Sequence, residues 1–424
     1  MKFAVSIHGT RGDVEPCAAV GLELQRRGHD VQMAVPPNLV GFVESAGLPA
    51  TIGYGPDSQK QLQGDVFERP DALTAAGPAD WIRLGNPLLA LRKARAAATR
   101  GWAEMSDALL SMSNGADLMV TGTAYQEIAA NVAEFRGLPL AEVHYFPVRA
   151  NTQVVKLPSP VATATYSMGE WLHWRLLKPA ESEQRRALRL PVATTRPVAR
   201  IVSAGSLEIQ AYDKIFFPGL ADEWGPRRPL VGSMTLQLPT EVDDDVTSWI
   251  AAGTPPIYFG FGSMPIDSPA DAVRMISDVC AELGERALIC AGFSEFDGIA
   301  TDGHVKVVAS VNHAAVFPTC RAVVHHGGAG TTAAGIRAGV PTLVLWVAAE
   351  QPLWGKQIER LGIGASRRFS ASTRYSLLSD LQAVLAPQIA ERSRLLSTQM
   401  SPAAGSVAAA ADLLEETARN RHHK

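Results

Sequence analysis

Histidines, glycines and threonines are grouped in one short segment of the chain, HHGGAGTT, from His325 to Thr332. Glycines allow the backbone to approach a ligand closely, and the free N–H groups and dipole of a helix N-terminus favour an anion. The hydroxyls of Thr331 and Thr332 and an imidazole add hydrogen-bond donors. The segment therefore predicts a phosphate-binding turn, with a glycine-rich turn that only packs as the alternative.

A second polar pair, Glu350 and Gln351, follows the next apolar strand, Pro341–Val347. A carboxylate and an amide at the end of that strand suit the hydroxyl groups of a sugar. Trp346 has two open interpretations, a wall of the sugar pocket or a core residue. The order of strand, turn, helix and strand predicts a βαβ unit with these polar groups at the carboxyl ends of its strands.

Apolar strands and helical segments alternate along the whole chain, a pattern that is typical of doubly wound parallel sheets. We expect such sheets to position these polar groups. The segment Pro218–Pro229, dense in proline, glycine and charge, predicts a linker. We therefore predict an α/β fold with two Rossmann-like domains that face each other across a cleft. The predicted boundaries are 1–217 for the first domain, 218–232 for the linker, 233–400 for the second domain and 401–424 for a C-terminal helix or tail, whose packing on the first domain stays open.

Bulk properties exclude several classes of protein. The chain has 424 residues, 46% of them hydrophobic and 19% charged, which describes a globular protein with room for two cores. A net charge of −3 gives no basis for nucleic-acid binding as the main activity. The four cysteines are scattered without zinc spacing and indicate buried thiols in a reducing cytoplasm. The N-terminus predicts a first strand and not a signal peptide, and no apolar stretch is long enough for a membrane span.

The segment from HHGGAGTT through AGVP to the acidic residue and Gln351 resembles a known donor-binding signature. It is similar to that of family 1 nucleotide-sugar glycosyltransferases with the two-domain GT-B fold, in the bacterial natural-product branch. Glu350 stands where aspartate is more usual in that family, which affects sugar selectivity. The resemblance implies that His326, Gly328, Gly330, Thr331 and Thr332 bind the donor diphosphate and that Glu350 and Gln351 bind the sugar.

The first turn of the chain, GTRGDVEP, resembles the N-terminal motif of the same branch. The resemblance implies that Asp13 is the general base that takes a proton from the acceptor hydroxyl. The alternative is that Asp13 only caps the helix that begins near Val14. Thr10 and Arg11 are candidates for contact with the donor pyrophosphate, and an exposed surface arginine is the alternative for Arg11.

Other positions match the family at single turns. Ser263, in FGFGS, matches a phosphate-contacting turn, and Val311 and Asn312 match the place where the family binds the nucleobase. His144 and Tyr145 end a strand near the expected acceptor site. The basic segment at 83–100 predicts either a solvated helix face or an amphipathic surface that meets a lipid-bearing acceptor or a membrane.

Within this branch, the resemblance is closest to mycobacterial transferases that decorate glycopeptidolipids. The segments that carry it are RRGHDVQMAVPPNLVGFVESAGL, the Tyr54–Thr99 insertion and LVLWVAAEQPLW. It implies inverting transfer of a 6-deoxyhexose, of the rhamnose or 6-deoxytalose type, from a dTDP-sugar to a hydroxyl of a lipopeptide. It implies no cofactor and no metal. We expect a cytoplasmic enzyme, with a location at the inner membrane face left open, and the oligomeric state is not predicted.

Three alternatives remain. In the first, the chain is an antibiotic glycosyltransferase of the same mechanism that acts on a polyketide or glycopeptide. In the second, it is a catalytically silent nucleotide-sugar-binding partner protein. The presence of Asp13 argues against the silent partner. An NAD-dependent oxidoreductase is disfavoured because the first turn lacks G-x-G-x-x-G.

Overall fold

The computed structural model describes residues 1–63, 87–236, 243–262, 268–292 and 303–420. These residues form two compact units. The described part of the first unit comprises 1–61, 87–236 and 403–420, and most of the second lies between 243 and 402. Each unit contains one parallel sheet with helices packed on it, and the described residues give each sheet six strands.

The first sheet is built from short, largely buried strands. They are β1 (Lys2–Ser6), β2 (Asp30–Val35), β3 (Thr51–Gly53), β4 (Leu118–Thr121), β5 (Leu140–His144) and β6 (Leu207–Gln210). Their order across the sheet is β3-β2-β1-β4-β5-β6, with every pairing parallel. The helices of this part of the chain are α1 (Arg11–Arg26), α2 (Val40–Ser45), α3 (Ser58–Gln63), α4 (Pro87–Ala98), α5 (Trp102–Met112), α6 (Gln126–Arg136), α7 (Ser159–Ala187), α8 (Pro197–Ser203) and α9 (Leu220–Trp224).

The second sheet repeats this plan. Its strands are β7 (Ile257–Gly260), β8 (Ala287–Cys290), β9 (Val305–Val308), β10 (Ala322–His325), β11 (Thr342–Trp346) and β12 (Gly364–Arg368). Their order is β12-β11-β10-β7-β8-β9, again all parallel. The helices are α10 (Asp243–Ala251), α11 (Pro269–Leu283), α12 (His313–Val316), α13 (Ala329–Arg337), α14 (Gln351–Leu361), α15 (Arg374–Val384) and α16 (Pro387–Ser397).

Both sheets have a topological switch point between their first and fourth strands. In the first unit β1 and β4 are neighbours, and in the second unit β7 and β10 are neighbours. The connections from neighbouring strands diverge there, which opens a crevice at the carboxyl ends where ligands bind in open α/β sheets. The predicted doubly wound fold is confirmed, and the two predicted chemical segments, HGTRGD and HHGGAGTT, follow β1 and β10 at these points.

The strands are buried on both faces, as parallel sheets require. The residues Leu118–Thr121 of β4 and Ile257–Gly260 of β7 are all buried. In the second unit, Phe259 and Ile289 pack from the sheet against helices α11 and α15, where Val279 and Leu381 are fully buried. The rigid sheet therefore fixes the positions of the turns that follow its strands.

The expected linker belongs to the first unit. Within Pro218–Pro229, Trp224 donates a hydrogen bond to the carbonyl of Ala150 at 2.9 Å. Pro229 accepts one from Gln210 of β6, also at 2.9 Å, so this stretch packs along the sheet edge. The first unit extends to Leu236, so residues 218–232 lie within it. The segment contains the short helix α9 and a 3-10 turn at Gly225–Arg227, and its role as a linker stays a prediction.

The far edge of the first sheet is β6, which follows helix α8 in the chain. Residues 403–420 group with the first unit, where α17 (Ala403–Arg419) packs on α1. Arg27 lies 2.6 Å from Asp412 and His29 lies 2.8 Å from Glu415, and Leu414 is buried in this contact.

Candidate functional site

The glycine-rich turn after β10 leads directly into a helix N-terminus. Helix α13 begins at Ala329 with Gly328 as its N-cap residue, so Thr331 and Thr332 lie in its first turns. Thr331 is half-buried in the first turn, and its hydroxyl takes no hydrogen bond within the described residues. Thr332 is fully buried and donates to the carbonyl of Gly328 at 2.8 Å, so its hydroxyl hydrogen is used inside the turn. Of the two predicted threonine donors, only Thr331 has a hydroxyl that no hydrogen bond within the described residues occupies.

His326 is held between two glycines. A Cβ at Gly262 would come within 2.6 Å of the imidazole Cε1, and a Cβ at Gly328 within 2.8 Å of Nε2. Nδ1 of His326 is buried and has no hydrogen-bond partner within the described part of the chain. Burial lowers the pKa of His326 to about 4, although the Gly260 carbonyl opposes this by favouring the protonated ring. The ring is therefore neutral at pH 7 and presents a buried nitrogen that lacks a partner.

The preceding histidine has a different role. His325 belongs to β10 and is fully buried, and its Nδ1 accepts a hydrogen bond from the N–H of Gly327 at 3.0 Å. Burial lowers its pKa well below the ordinary histidine value, with His326 and His313 adding to the effect. His325 therefore stabilises the turn by accepting the Gly327 N–H, whereas His326 lies in the turn itself.

The residues after β11 form a strained loop into α14. Ala349 has φ of 56°, a left-handed conformation that is rare for a residue with a Cβ and is concentrated at functional sites. Gln351 is buried, and its Oε1 accepts hydrogen bonds from the N–H groups of Val347 at 2.8 Å and Ala348 at 3.2 Å. Glu350 is half-buried as the N-cap residue of α14. The Gln351 side chain thus holds the loop that presents Glu350.

The remaining donor-side predictions have mixed outcomes. Trp346 is half-buried at the end of β11, with the Arg368 guanidinium 5.8 Å from its ring centroid. Val311 is buried in the core beside α12, and Asn312 caps that helix by accepting from the Ala314 N–H at 3.0 Å. A nucleobase contact at Val311 and Asn312 stays a prediction. Ser263 lies outside the described residues.

In the first unit, the turn after β1 is a capping box. The carboxylate Oδ2 of Asp13 accepts hydrogen bonds from the backbone N–H of Thr10 at 2.7 Å and from its hydroxyl at 3.1 Å. Burial raises the pKa of Asp13 above the ordinary aspartate value, and the Thr10 bonds partly offset that rise. The capping role left open from the sequence is therefore present. The cap uses Oδ2 of Asp13, and neither hydrogen bond from Thr10 goes to Oδ1.

Arg11 lies on the surface of the same turn. Its Nε forms an ion pair with Glu15 at 2.9 Å, and its guanidinium lies 4.5 Å from the centroid of the Phe42 ring. Its side chain is 44% exposed, so it occupies the position expected of a surface arginine. A contact between Arg11 and a pyrophosphate stays a prediction.

The two residues proposed for the acceptor are internal. His144 is fully buried, with Nε2 3.3 Å from Glu142 and Nδ1 3.0 Å from the Gln210 amide. Tyr145 is 9% exposed, and its hydroxyl donates to the backbone carbonyl of Asp13 at 2.5 Å. Neither side chain is available to an acceptor in this arrangement. The carboxyl end of a strand marks the edge of the sheet where a site is expected. Whether a particular side chain there is buried depends on its neighbours in the fold.

Sequence reasoning missed a second aromatic and histidine group at the first switch point. His8 follows β1, is buried, and makes an edge contact with the ring of Tyr125 at 4.9 Å between centroids. Tyr125 follows β4 and has φ of 58°. Burial lowers the pKa of His8. The signal that could have found these residues is their position after adjacent strands at the switch point.

A buried charged network at the ends of β5 and β6 was also missed. The Arg149 guanidinium donates to both Glu142 and Glu208, and Arg228 donates to Glu208 at 2.6 Å. Glu142, His144 and Glu208 have spacing that suits a metal ion. However, Arg149 and Arg228 together balance the charges of Glu142 and Glu208, so the group acts as an internal ion-pair network that links the two strands.

The comparison with known proteins decides the family. Residues 294–410 match the model "Erythromycin biosynthesis protein CIII-like, C-terminal domain", and residues 3–76 match "Glycosyltransferase family 28 N-terminal domain". The chain is 57% identical over 423 residues to an uncharacterized glycosyltransferase of Mycobacterium tuberculosis, covering 99% of each chain. The chain belongs to the glycosyltransferases. The erythromycin biosynthesis protein CIII-like match is limited to residues 294–410.

Further relatives extend this assignment. An uncharacterized glycosyltransferase of Mycobacterium leprae is 54% identical, covering 99% of this chain and 98% of the relative. A sterol 3-beta-glucosyltransferase of Arabidopsis thaliana is 29% identical, covering 95% of this glycosyltransferase and 67% of the relative. The family predicted from the sequence is confirmed at this level, and a preference for glycopeptidolipids stays a prediction.

Solved structures confirm the GT-B fold of this glycosyltransferase. The calicheamicin glycosyltransferase CalG4 has a TM-score of 0.68 at 18% identity, with 98% of each chain covered. The glycosyltransferase VinC, solved in complex with dTDP, has a TM-score of 0.67 at 15% identity, covering 99% of this chain and 100% of VinC. Within its described residues, the glycosyltransferase has no helix with the length and apolar character needed to cross a bilayer.

Proposed function

We propose that this glycosyltransferase moves a hexose from a nucleoside diphosphate to an acceptor hydroxyl with inversion at the anomeric carbon. The second unit holds the donor, with its diphosphate at the N-terminus of α13. Asp13 of the first unit takes the proton of the acceptor hydroxyl as the new bond to carbon forms. The leaving diphosphate departs with the electron pair of the bond that breaks.

The observation that carries this proposal is His326, whose ring lies against Gly328 at the start of α13 and whose Nδ1, on the Gly262 side, has no hydrogen-bond partner within the described residues. A buried polar atom without a partner costs free energy, and a ligand oxygen or hydroxyl can supply that partner. Free N–H groups of the first helical turn and the Thr331 hydroxyl add donors at the same place. Negative charge that develops on a leaving diphosphate would be stabilised there without a metal ion, in agreement with the proposal that none is required.

The base role of Asp13 is supported by its pKa and its hydrogen bonds. A raised pKa brings the carboxylate closer to the proton affinity that general-base catalysis at neutral pH requires. Both bonds from Thr10 reach Oδ2, so Oδ1 is the oxygen that would accept the proton. The GTRGDVEP motif places the carboxylate at the first switch point.

The substrates we propose are a dTDP-linked 6-deoxyhexose, of the rhamnose or 6-deoxytalose type, and a hydroxyl of a glycopeptidolipid-like lipopeptide. The donor-binding motif and its resemblance to mycobacterial transferases support this choice. A spinosyn rhamnosyltransferase is among the proteins of the same fold, at a TM-score of 0.67 and 17% identity. Turnover of a polyketide or glycopeptide acceptor instead would favour the antibiotic alternative.

Asp13→Asn tests the base role directly. Asparagine keeps an oxygen that accepts the two Thr10 hydrogen bonds, but it cannot take a proton. We expect turnover to fall about 10²- to 10⁴-fold. Because the folded state raises the pKa of Asp13, the charged carboxylate destabilises the fold at pH 7, so Tm should stay level or rise. Turnover near the wild-type rate would remove Asp13 from the mechanism and favour a silent binding protein.

The donor is tested by thermal stabilisation with a panel of nucleotide sugars. A ligand present at about 100 times its Kd should raise the free energy of unfolding by about 2.7 kcal/mol. We expect dTDP-rhamnose and related dTDP-sugars to stabilise the protein more than UDP- or GDP-sugars do. Turnover should persist in EDTA, and a loss reversed by Mg²⁺ would contradict the proposed metal independence.

A further inference from the structure

The longest helix of the first unit exposes apolar side chains that no described element covers. On α7, Val161 is 49% exposed, Met168 58%, Trp171 44% and Leu172 54%. An average surface helix buries its large apolar residues, and scattered exceptions are ordinary. Here four of them lie on one helix within three turns, which requires a separate explanation.

These side chains form one continuous face, which we call the outer face of α7. At about 100° per residue, positions 161, 168, 171, 172 and 175 lie within roughly 100° of one another around the helix. The opposite side of α7 is buried, with Trp174, Leu177 and Gln184 turned into the first unit. The helix is therefore apolar on two sides, and its outer face adds nothing to the core.

The surroundings of the outer face are cationic. The Arg175 guanidinium lies 5.6 Å from the Trp171 ring centroid, and the Lys178 amine lies 4.7 Å from the Trp174 ring centroid. Helix α4 packs against α7 and carries Arg92, Lys93 and Arg95, all exposed. The stretch 152–169 contains Lys156 and no aspartate or glutamate.

We propose that the outer face of α7 docks this glycosyltransferase on the surface of a membrane that contains anionic lipids. Apolar and tryptophan side chains of an amphipathic helix enter the boundary between headgroups and acyl chains, while arginine and lysine meet lipid phosphates. Long basic side chains lie along that boundary with their charges in water. In a symmetric dimer through this face, the cations of one chain would lie against the cations of the other. This repulsion disfavours such a dimer.

The basic segment at 83–100 predicted from the sequence supplies the electrostatic part of this surface. Arg92, Lys93 and Arg95 contribute attraction that salt screens, and α7 contributes the apolar part that salt does not weaken. Arg83 lies outside the described residues. The inference concerns the protein surface alone and holds for any donor sugar or acceptor.

The test is co-sedimentation of the full chain with vesicles of phosphatidylcholine and phosphatidylglycerol, against vesicles of phosphatidylcholine alone. We expect binding to the anionic vesicles that falls with rising salt but is not abolished. The double variant W171S/L172S should lower the partition coefficient at least tenfold, since two apolar side chains would no longer be buried. Thermal stability should be unchanged because both side chains are exposed in the folded protein.

Leu395→Ser is the matched control, because Leu395 is 63% exposed on α16 of the second unit. It should bind vesicles like the wild type. Equal binding by W171S/L172S and the wild type, or no preference for anionic vesicles, would overturn the proposal. A dimer in sedimentation equilibrium that W171S/L172S dissociates would assign the face to a second copy instead. Turnover of a short, water-soluble acceptor should be the same in all three proteins, so that failure of docking and failure of the proposed function remain distinguishable.

Discussion

At the scale of single residues, the turn after β1 is held by a contact from another strand. The Tyr145 hydroxyl donates to the Asp13 carbonyl at 2.5 Å, and the Cys17 thiol lies 3.2 Å from the same hydroxyl. Tyr145 follows β5, so this hydrogen bond ties the first turn of α1 to a distant part of the sheet. Under the proposed function, Tyr145 would position Asp13 through this hydrogen bond.

Tyr145→Phe should therefore lower kcat about tenfold and leave the KM of the donor nearly unchanged. The ring still fills its place, so Tm should fall only by the equivalent of about 1 kcal/mol. Steady-state kinetics with a pH profile checks this, since a misplaced Asp13 changes the acid limb of kcat. A raised donor KM with unchanged kcat would contradict the positioning role.

The glycines at the start of α13 provide a second test at this scale. Gly328→Ala places a Cβ within 2.8 Å of the His326 ring, whereas a Cβ at Gly330 meets nothing within 4 Å. We expect Gly328→Ala to displace His326, lower Tm and weaken nucleotide binding at least tenfold, measured by calorimetric titration. Gly330→Ala should leave Tm level or slightly higher, because alanine favours a helix. Equal losses of stability in the two variants would show that the glycines do not shape the histidine site.

At the scale of secondary structure elements, the C-terminal helix completes the first unit. Helix α17 packs on α1 through Leu414, which is 2% exposed, and through the ion pairs of Arg27 and His29 with Asp412 and Glu415. The chain therefore passes to the second unit and returns. A helix that is last in sequence supports the first helix of the chain, which carries Asp13.

Leu414→Ala should destabilise the first unit by about 2–5 kcal/mol, the usual effect of removing a buried leucine side chain. Its neighbour Leu413 is half-buried, so Leu413→Ala should have a much smaller effect. Urea denaturation followed by tryptophan fluorescence would measure both variants. Similar effects for the two leucines would indicate that α17 is attached loosely.

At the scale of the whole molecule, two sheets of identical strand order each present a glycine-containing polar turn at the switch point. In the second unit, two neutral histidines lie at this turn. The pKa values of His325 and His326 are both lowered by burial, to about 4 for His326. A histidine whose pKa is lower in the folded than in the unfolded state makes its full contribution to stability above the unfolded pKa, near 6.5. That contribution is lost as the pH falls towards the folded pKa, which is about 4 for His326.

We therefore expect the Tm of the whole protein to fall steadily between pH 6.5 and 4. His326→Asn should reduce this dependence, because one of the two groups that must be protonated is gone. Differential scanning calorimetry across this range measures the slope for both proteins. The same slope in the variant would mean that His326 is already solvated in the folded protein.

The sequence by itself determined the doubly wound fold and the two chemical turns. Apolar strands, helical spacing and glycine position are local properties, so β10, the HHGGAGTT turn and α13 were predicted to within two residues. The capping alternative for Asp13 was also visible, because a carboxylate at the third helical residue is a local pattern.

Only the tertiary structure decided which side chains are buried and which find hydrogen-bond partners. It turned Thr332 and His144 inward, kept Nδ1 of His326 without a partner, joined the expected linker at 218–232 to the first unit, and left one face of α7 uncovered. Each of these outcomes depends on contacts between residues far apart in the chain. Burial and hydrogen bonding are set by such neighbours, whereas strands, helices and turns are set largely by residues a few positions away.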